Sequence, residues 1–279
     1  MSLRNIIYIF FIFIICVSCS KENIKQSKIT ETELELQMIE AYEAGLEELK
    51  GGDAIYAAKK FNEAEMLFPQ SDVAPKAALM AAYSYYSQNY YLDAIAELNR
   101  FIKIYPNHQN ITYAEYLLGL CYYEQIIDEK KDLKSIKNSK EIFLNVIKKY
   151  PNTDFAIDAK FKLDLIDNVL AAKEMYVGRY YFDRKKWIAS INRFKFVIDN
   201  YETTIYVEEA LHRLVEIYFI LGLEIEANKY ANLLGYNYQS SEWYENSYTI
   251  FDQNYKKIKI RKEENKILKR FKSLFGWDE

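Results

Sequence analysis

Five times along the chain, a helix residue that is usually small precedes a triplet at spacings of four and three that opens on a small side chain, and a helix-stopping residue often follows. In the first instance Gly45 stands twelve residues before Ala57, with Phe61, Ala64 and Pro69 completing the set. The second reads Ala82, Tyr85, Ala94, Leu98, Phe101 and Pro106, and the third Gly119, Tyr122, Ser139, Phe143, Val146 and Pro151. The fourth reads Gly178, Tyr181, Ser190, Phe194 and Val197, with Glu202 where the proline would fall, and the fifth Val215, Tyr218, Ala227, Ala231 and Leu234. Few architectures tolerate this spacing. Two antiparallel helices approach closely only where one side chain is small, and an aromatic ring then fills the gap between them. Proline lacks the N–H and clashes with the preceding turn, so it ends the second helix. Glycine and proline are scarce, 8 and 4 of 279 residues, and three of each fall on the frame.

This spacing is that of the tetratricopeptide repeat, and it predicts an all-α fold: a solenoid of about five helix pairs over residues 34–239. The third pair carries about eight extra charged residues between its helices, within the string IIDEKKDLKSIKN, expected as a protruding loop or as lengthened helix ends. Half of the residues are hydrophobic and 16% are aromatic, which excludes disorder for most of the length.

The start of the chain reads as an export signal. Met1–Asn5 carries one positive charge, Ile6–Cys16 is an apolar run, and Val17-Ser18-Cys19 precedes an abruptly polar stretch. Eleven apolar residues are too few for a membrane-spanning helix, which needs about 20. A cysteine after small residues resembles the bacterial lipobox, with Cys16 at the position usually held by leucine. The resemblance implies a lipoprotein signal peptide over residues 1–18, acylation (palmitate among the chains) of Cys19, and a flexible tether over 19–33. Ser20 is not an inner-membrane retention signal under lipoprotein sorting rules, so the outer membrane is expected. More than one acyl chain makes such anchoring stable. Only Cys121 then remains as a thiol, in the apolar string LLGLCYY, so no intramolecular disulfide can form and a core position is expected.

Three strings narrow the class further. Asn99-Arg100-Phe101-Ile102-Lys103 with Pro106, His108, Asn110-Ile111, Tyr113, Tyr116 and Gly119 resembles a repeat junction of the BamD family, the lipoprotein subunits of the outer-membrane β-barrel assembly machine. Tyr150-Pro151-Asn152-Thr153, followed by Phe155 and Asp158-Ala159, is similar to the next junction. Tyr180-Tyr181, Trp187 and Asn192-Arg193 resemble the fourth repeat. The resemblance implies a periplasm-facing, non-enzymatic subunit. It would bind the barrel-forming subunit BamA through its C-terminal repeats and unfolded outer-membrane proteins through its N-terminal ones. Arg193 would meet an acidic group on BamA, with Asn192 and Trp187 shaping that surface; the alternative makes Trp187 simply the wedge between helices and Arg193 a solvated helix residue. Another periplasmic repeat lipoprotein, a scaffold for envelope coordination or cell division, is the rival.

On the first helices, the positions flanking the small residue are Tyr42, Leu46 and Leu49, then Leu79, Tyr83 and Tyr86, then Tyr113, Tyr116, Leu120 and Tyr123. They lie at helical spacing on one stripe and suit an extended, aromatic-rich substrate segment, although the same positions can seal one repeat against the next. Two histidines and three cysteines leave no material for a metal centre or a Cys–His pair, and no glycine-rich phosphate loop, HExxH or Ser-His-Asp pattern occurs. No enzyme activity, cofactor or metal is expected. Residues 240–279 form a basic extension: Lys256–Lys272 holds nine Lys/Arg against two Glu, punctuated by Ile260, Ile267, Leu268 and Phe271, with Leu274 and Phe275 just beyond. Such an amphipathic basic segment suits anionic lipid or an acidic partner. An exported chain has no nucleic acid to meet.

Overall fold

The computed structural model describes residues 31–126 and 133–251. The expected signal peptide, Cys19, most of the expected tether, part of the repeat-three insertion and the basic Lys256–Lys272 run lie outside the described residues. Among those described, eleven α-helices occur and no strand: α1 (Glu31–Gly51), α2 (Ala54–Leu67), α3 (Ala74–Ser87), α4 (Tyr91–Ile104), α5 (Ile111–Tyr123), α6 (Lys134–Lys149), α7 (Asp154–Asp183), α8 (Trp187–Asn200), α9 (Val207–Ile220), α10 (Glu224–Asn237) and α11 (Glu242–Phe251). The all-α class expected from the frame is what the chain adopts. The residues fall into two compact units, one ending at Ser84 and the other beginning at Tyr85, so the boundary lies inside α3.

In the first unit α1 packs on α2 at the glycine of the frame. A methyl group placed on Gly45 would lie 2.9 Å from the Phe61 ring, closer than carbon atoms can approach. Phe61 is fully buried, and Tyr42 meets it edge-on at 5.2 Å. Met38, Ala41, Ala64 and Ala77 form the adjoining core, and the Ser71 hydroxyl donates to the Phe68 carbonyl in the turn before α3.

In the second unit the same contact recurs twice. A Cβ on Gly119 would come within 2.6 Å of Phe143, and one on Gly178 within 2.5 Å of Phe194. Where the frame has serine in place of alanine, its hydroxyl donates to the carbonyl of that glycine: Ser139 to Gly119 at 3.0 Å and Ser190 to Gly178 at 2.9 Å. Both serines are fully buried, and this bond satisfies a hydroxyl that burial would otherwise penalise.

One element departs from the expected pairs. The fourth pair's first helix is α7, 30 residues long, which packs on α6 with its N-terminal half and on α8 with its C-terminal half. Thr153 caps it by accepting from the Ala156 N–H, and no glycine or proline interrupts it before Gly178. Ser139 to Gly178 spans 39 residues, where Ala57 to Ala82 spans 25. The difference is close to four whole turns at about 3.6 residues per turn, so both ends of α7 bury the same stripe.

Four of the five first helices, all but α5, share one ending. Gly52, Asn89, Lys185 and Gly222 all have positive φ, and each reverses the chain in the same way. At Gly222 the Leu223 N–H reaches back to the Tyr218 carbonyl and the Gly222 N–H to the Phe219 carbonyl, the double bond of a Schellman cap. Lys185 makes the same bonds at φ +57, a conformation costly for a residue with a Cβ.

α11 follows the fifth pair and packs on α9 and α10. It contains Glu242 and Glu245 and no Lys or Arg, so the basic part of the C-terminal extension begins beyond it.

These contacts set two kinds of cost. Gly178→Ala, which drives a methyl into the Phe194 ring, should lower unfolding free energy by about 1–3 kcal/mol. The loss should shrink in a Phe194→Leu background. Lys185→Gly relieves the backbone and should raise stability by up to about 1 kcal/mol. Urea denaturation of the wild type and these four variants, the double one included, measures both; an additive Gly178/Phe194 cycle would refute the contact.

Candidate partner-binding surfaces

α8 opens with Trp187, whose indole meets Phe182 edge-on at 5.5 Å and packs on the second unit's core. Trp187 is half-buried and serves as a wedge between α7 and α8. One turn further, Asn192 and Arg193 face solvent. Arg193 is 45% exposed and its Nη1 donates to Glu174 Oε2 on α7 at 2.9 Å. An exposed pair of this kind contributes little to folding, so the guanidinium can trade or share its carboxylate at small cost. The sequence reading missed what surrounds it. Ile188, 77% exposed, and Phe196 stand one turn to either side of Asn192, giving an apolar-polar-apolar stripe beside the arginine. The i, i+4 spacing of Ile188, Asn192 and Phe196 was the available signal.

Behind this surface runs a chain of charges linking α7, α9 and α11. Arg179 holds the Glu209 carboxylate through two N–H groups, Nε to Oε1 at 2.7 Å and Nη2 to Oε2. Arg213 Nε lies 3.5 Å from Glu209 and its Nη1 donates to Glu216 at 2.7 Å. The Arg213 guanidinium also lies over the Phe182 ring at 5.3 Å and the Trp243 ring at 5.7 Å, so the network braces the ring on which Trp187 rests. Burial pushes the Glu216 carboxyl up, but His212 and then Arg213 outweigh it and hold the group below its ordinary value of 4.5.

His212 completes the chain. Its Nδ1 is 2.8 Å from the Ser247 hydroxyl and its Nε2 is 3.6 Å from Glu216. Serine, histidine and glutamate are the residue types of a hydrolytic triad, but here they form a strut. Ser247 is fully buried and its hydroxyl donates to the Trp243 carbonyl, which leaves no approach for a substrate. Cys121 is also fully buried, and desolvation pushes its thiol up to about 12, the opposite of an activated nucleophile. Among the described residues no cluster of three or more His, Cys, Asp or Glu could hold a metal, and no helix is long and apolar enough to cross a membrane.

Of the expected substrate positions, five belong to the first unit. Tyr42, Leu46 and Leu49 are half-buried, Leu79 is buried within α3, and Tyr83 is exposed. Leu79 therefore offers a ligand almost no surface. In the second unit Tyr86 lies against Tyr91, with ring centres 6.1 Å apart. Tyr113 and Tyr116 both pack on Phe155 of α7, at 5.6 Å and 5.2 Å. The Tyr116 hydroxyl donates to Asp158 at 2.5 Å, and burial together with that bond raises its pKa. These two tyrosines thus anchor the start of the long helix.

Antiparallel helix pairs in succession, with exposed aromatic and apolar stripes, define an all-α helical-repeat protein. The YfiO family profile, described as outer membrane lipoprotein, matches residues 34–234, and the chain belongs to that family. It is 46% identical over 194 residues to "Outer membrane protein assembly factor BamD" of Rickettsia prowazekii (strain Madrid E), an alignment covering 70% of this chain and 77% of that protein. Identity to the protein of the same name from Caulobacter vibrioides is 38% over 213 residues, covering 76% of this chain and 70% of that one. For the Neisseria gonorrhoeae protein of that name it is 33% over 180 residues, covering 61% and 67%.

The lowered pKa of Glu216 fixes a sign. A carboxyl held below its unfolded value stabilises the fold above that value, and the stabilisation disappears as pH falls through the folded one. Wild-type unfolding free energy should therefore drop as pH is lowered beneath about 4.5, and Glu216→Gln should flatten that limb while lowering stability at neutral pH. Parallel acid limbs for the two chains would show that the His212–Arg213–Glu216 contacts do not form.

Proposed function

We propose that the chain is a non-enzymatic assembly factor for outer-membrane β-barrel proteins. It is held on the periplasmic side of the outer membrane by acyl chains on Cys19 and acts by binding the barrel-forming subunit BamA and unfolded barrel substrates. Membership of an outer membrane lipoprotein family, the lipobox-like start and relatives named as assembly factors support this reading. The observation that carries the BamA contact is the α8 surface, where Ile188, Asn192 and Phe196 flank a solvent-facing Arg193. Apolar side chains around an arginine are a common makeup for the energetic centre of a protein interface. A planar guanidinium already geared to one carboxylate is suited to engage a second, on the partner, bidentately. Trp187 sets the angle of this helix and contributes through its exposed edge.

Substrate binding belongs to the aromatic positions of the early repeats. Tyr42, Leu46 and Tyr83 offer surface on the first unit, and Tyr86 with the outer edges of Tyr113 and Tyr116 on the second. Tyrosine offers apolar area with a hydroxyl that keeps the surface wettable, which suits brief contact with an unfolded, aromatic-rich strand.

Affinity purification from detergent-solubilised envelope tests the partner. BamA should co-purify with the wild-type chain, and its recovery should fall roughly tenfold or more with Arg193→Glu or Ile188→Glu, a loss of about 1.4 kcal/mol or more. In the same preparation metabolic palmitate should label the wild type and not Cys19→Ser. Absence of BamA from the wild-type eluate would favour an envelope scaffold with other partners.

Tyr83→Ala combined with Tyr86→Ala should weaken binding of a C-terminal barrel-strand peptide, read by fluorescence anisotropy, with helicity unchanged. Unaltered affinity would assign these rings to packing alone.

A further inference from the structure

The turn between α9 and α10 leaves five apolar side chains at the surface within seven positions: Phe219, Ile220, Leu221, Leu223 and Ile225. Ile220 is 56% exposed and Ile225 83%, and the Gly222 cap presents Leu221 and Leu223 to either side of the reversal. Contiguous exposed apolar surface of this kind marks a place where something docks. The last described helix delivers the chain to it: Phe251, at the end of α11, meets Phe219 edge-on with ring centres 5.6 Å apart. Twenty-eight residues follow Phe251, and after four of them the basic run begins at Lys256.

Charge favours the same pairing. Residues 207–251, which form the fifth helix pair and α11, hold seven acidic and two basic residues, a net of −5. Residues 256–272 hold nine basic and two acidic, a net of +7. Glu224 and Glu226 stand in the first turn of α10, alternating with Ile225, so acidic groups rim the apolar patch itself.

We propose that the patch is the docking site of the chain's own C-terminal segment, residues 256–275. Ile260, Ile267, Leu268, Phe271, Leu274 and Phe275 supply the apolar side of the contact, and the flanking Lys and Arg meet the acidic rim. A linker of four residues gives the segment an effective concentration on the order of mM at the patch, so a contact too weak to hold between separate molecules stays formed. The segment covers surface that would otherwise draw non-specific partners. This goes beyond the proposed assembly role and does not depend on it.

Hydrogen exchange with mass spectrometry on the full chain in a non-ionic detergent tests the proposal. Amides of residues 256–275 should exchange at least roughly tenfold more slowly than unstructured peptide rates. That protection should be lost in the doubly substituted chain Ile220→Glu, Ile225→Glu, and reduced in 0.5 M salt as screening weakens the charged rim (about 0.5 M, where the Debye length falls towards 4 Å). Both isoleucines are exposed, so α7, α8 and α9 should stay protected in that variant. A second variant, Lys256→Glu, Lys257→Glu, Lys259→Glu, alters only the segment and should also release it. Protection that survives the isoleucine substitutions would overturn the proposal, as would protection seen only after adding anionic phosphatidylglycerol vesicles, which would make a lipid surface the occupant.

Discussion

The structure depends on a size match repeated between paired helices: one side chain must be nearly absent so that another can be large. Gly45 with Phe61, Gly119 with Phe143 and Gly178 with Phe194 are the extreme form, each leaving no room for a methyl group. In the fifth pair the same register holds the opposite combination, Val215 with Ala231, within one core cluster. The total volume is kept while its division between the helices is reversed, which is how a core tolerates change of residue. Because this contact sets the distance between the helices, it also sets which flank of each helix is left for solvent and partners.

On that frame the long α7 does the work of joining two differently occupied regions. Its first turns take Tyr113 and Tyr116 through Phe155 and Asp158, and its last turns carry Gly178, Arg179 and Phe182. From Arg179 the charge network crosses to Glu209, Arg213, Glu216 and His212 and reaches Ser247 on α11. Partly buried ionic groups of this kind, with Glu209 and His212 at the centre, are costly to break singly. Their value here is positional: they hold Phe182 and Trp243 about the Arg213 guanidinium, and Trp187 against Phe182, so that α8 presents Ile188, Asn192, Arg193 and Phe196 on a braced helix. A surface held in one geometry loses less entropy when a partner binds it.

The heavy use of tyrosine follows from the same economy. A repeat protein has a large surface for its core, so ring-bearing residues must both seal and face water. Tyr42 seals against Phe61, Tyr218 stacks on Tyr230, and Tyr116 spends its hydroxyl on Asp158. Tyr83 leaves more of its ring exposed. The residue type alone does not separate these roles, since each follows from which helix lies opposite.

The order of small and bulky residues in the sequence was enough to determine helix pairs, their number and the identity of the buried rings, because that spacing has a single close-packed solution. The Trp187, Asn192 and Arg193 neighbourhood was legible through resemblance, and Ile188 and Phe196 could have been read from their spacing. Other features were settled only in three dimensions. The fusion of two helices into α7 was hidden because nothing marks a helix that simply continues, and a whole number of turns leaves the buried pattern intact. The left-handed residues Asn89 and Lys185 carry no glycine to announce them. Glu174 beside Arg193, Phe155 beside Tyr116, and Ser247 beside His212 lie 19, 39 and 35 residues apart in sequence. Local periodicity reports which face of a helix is buried; it carries no information about which distant residue that face will meet.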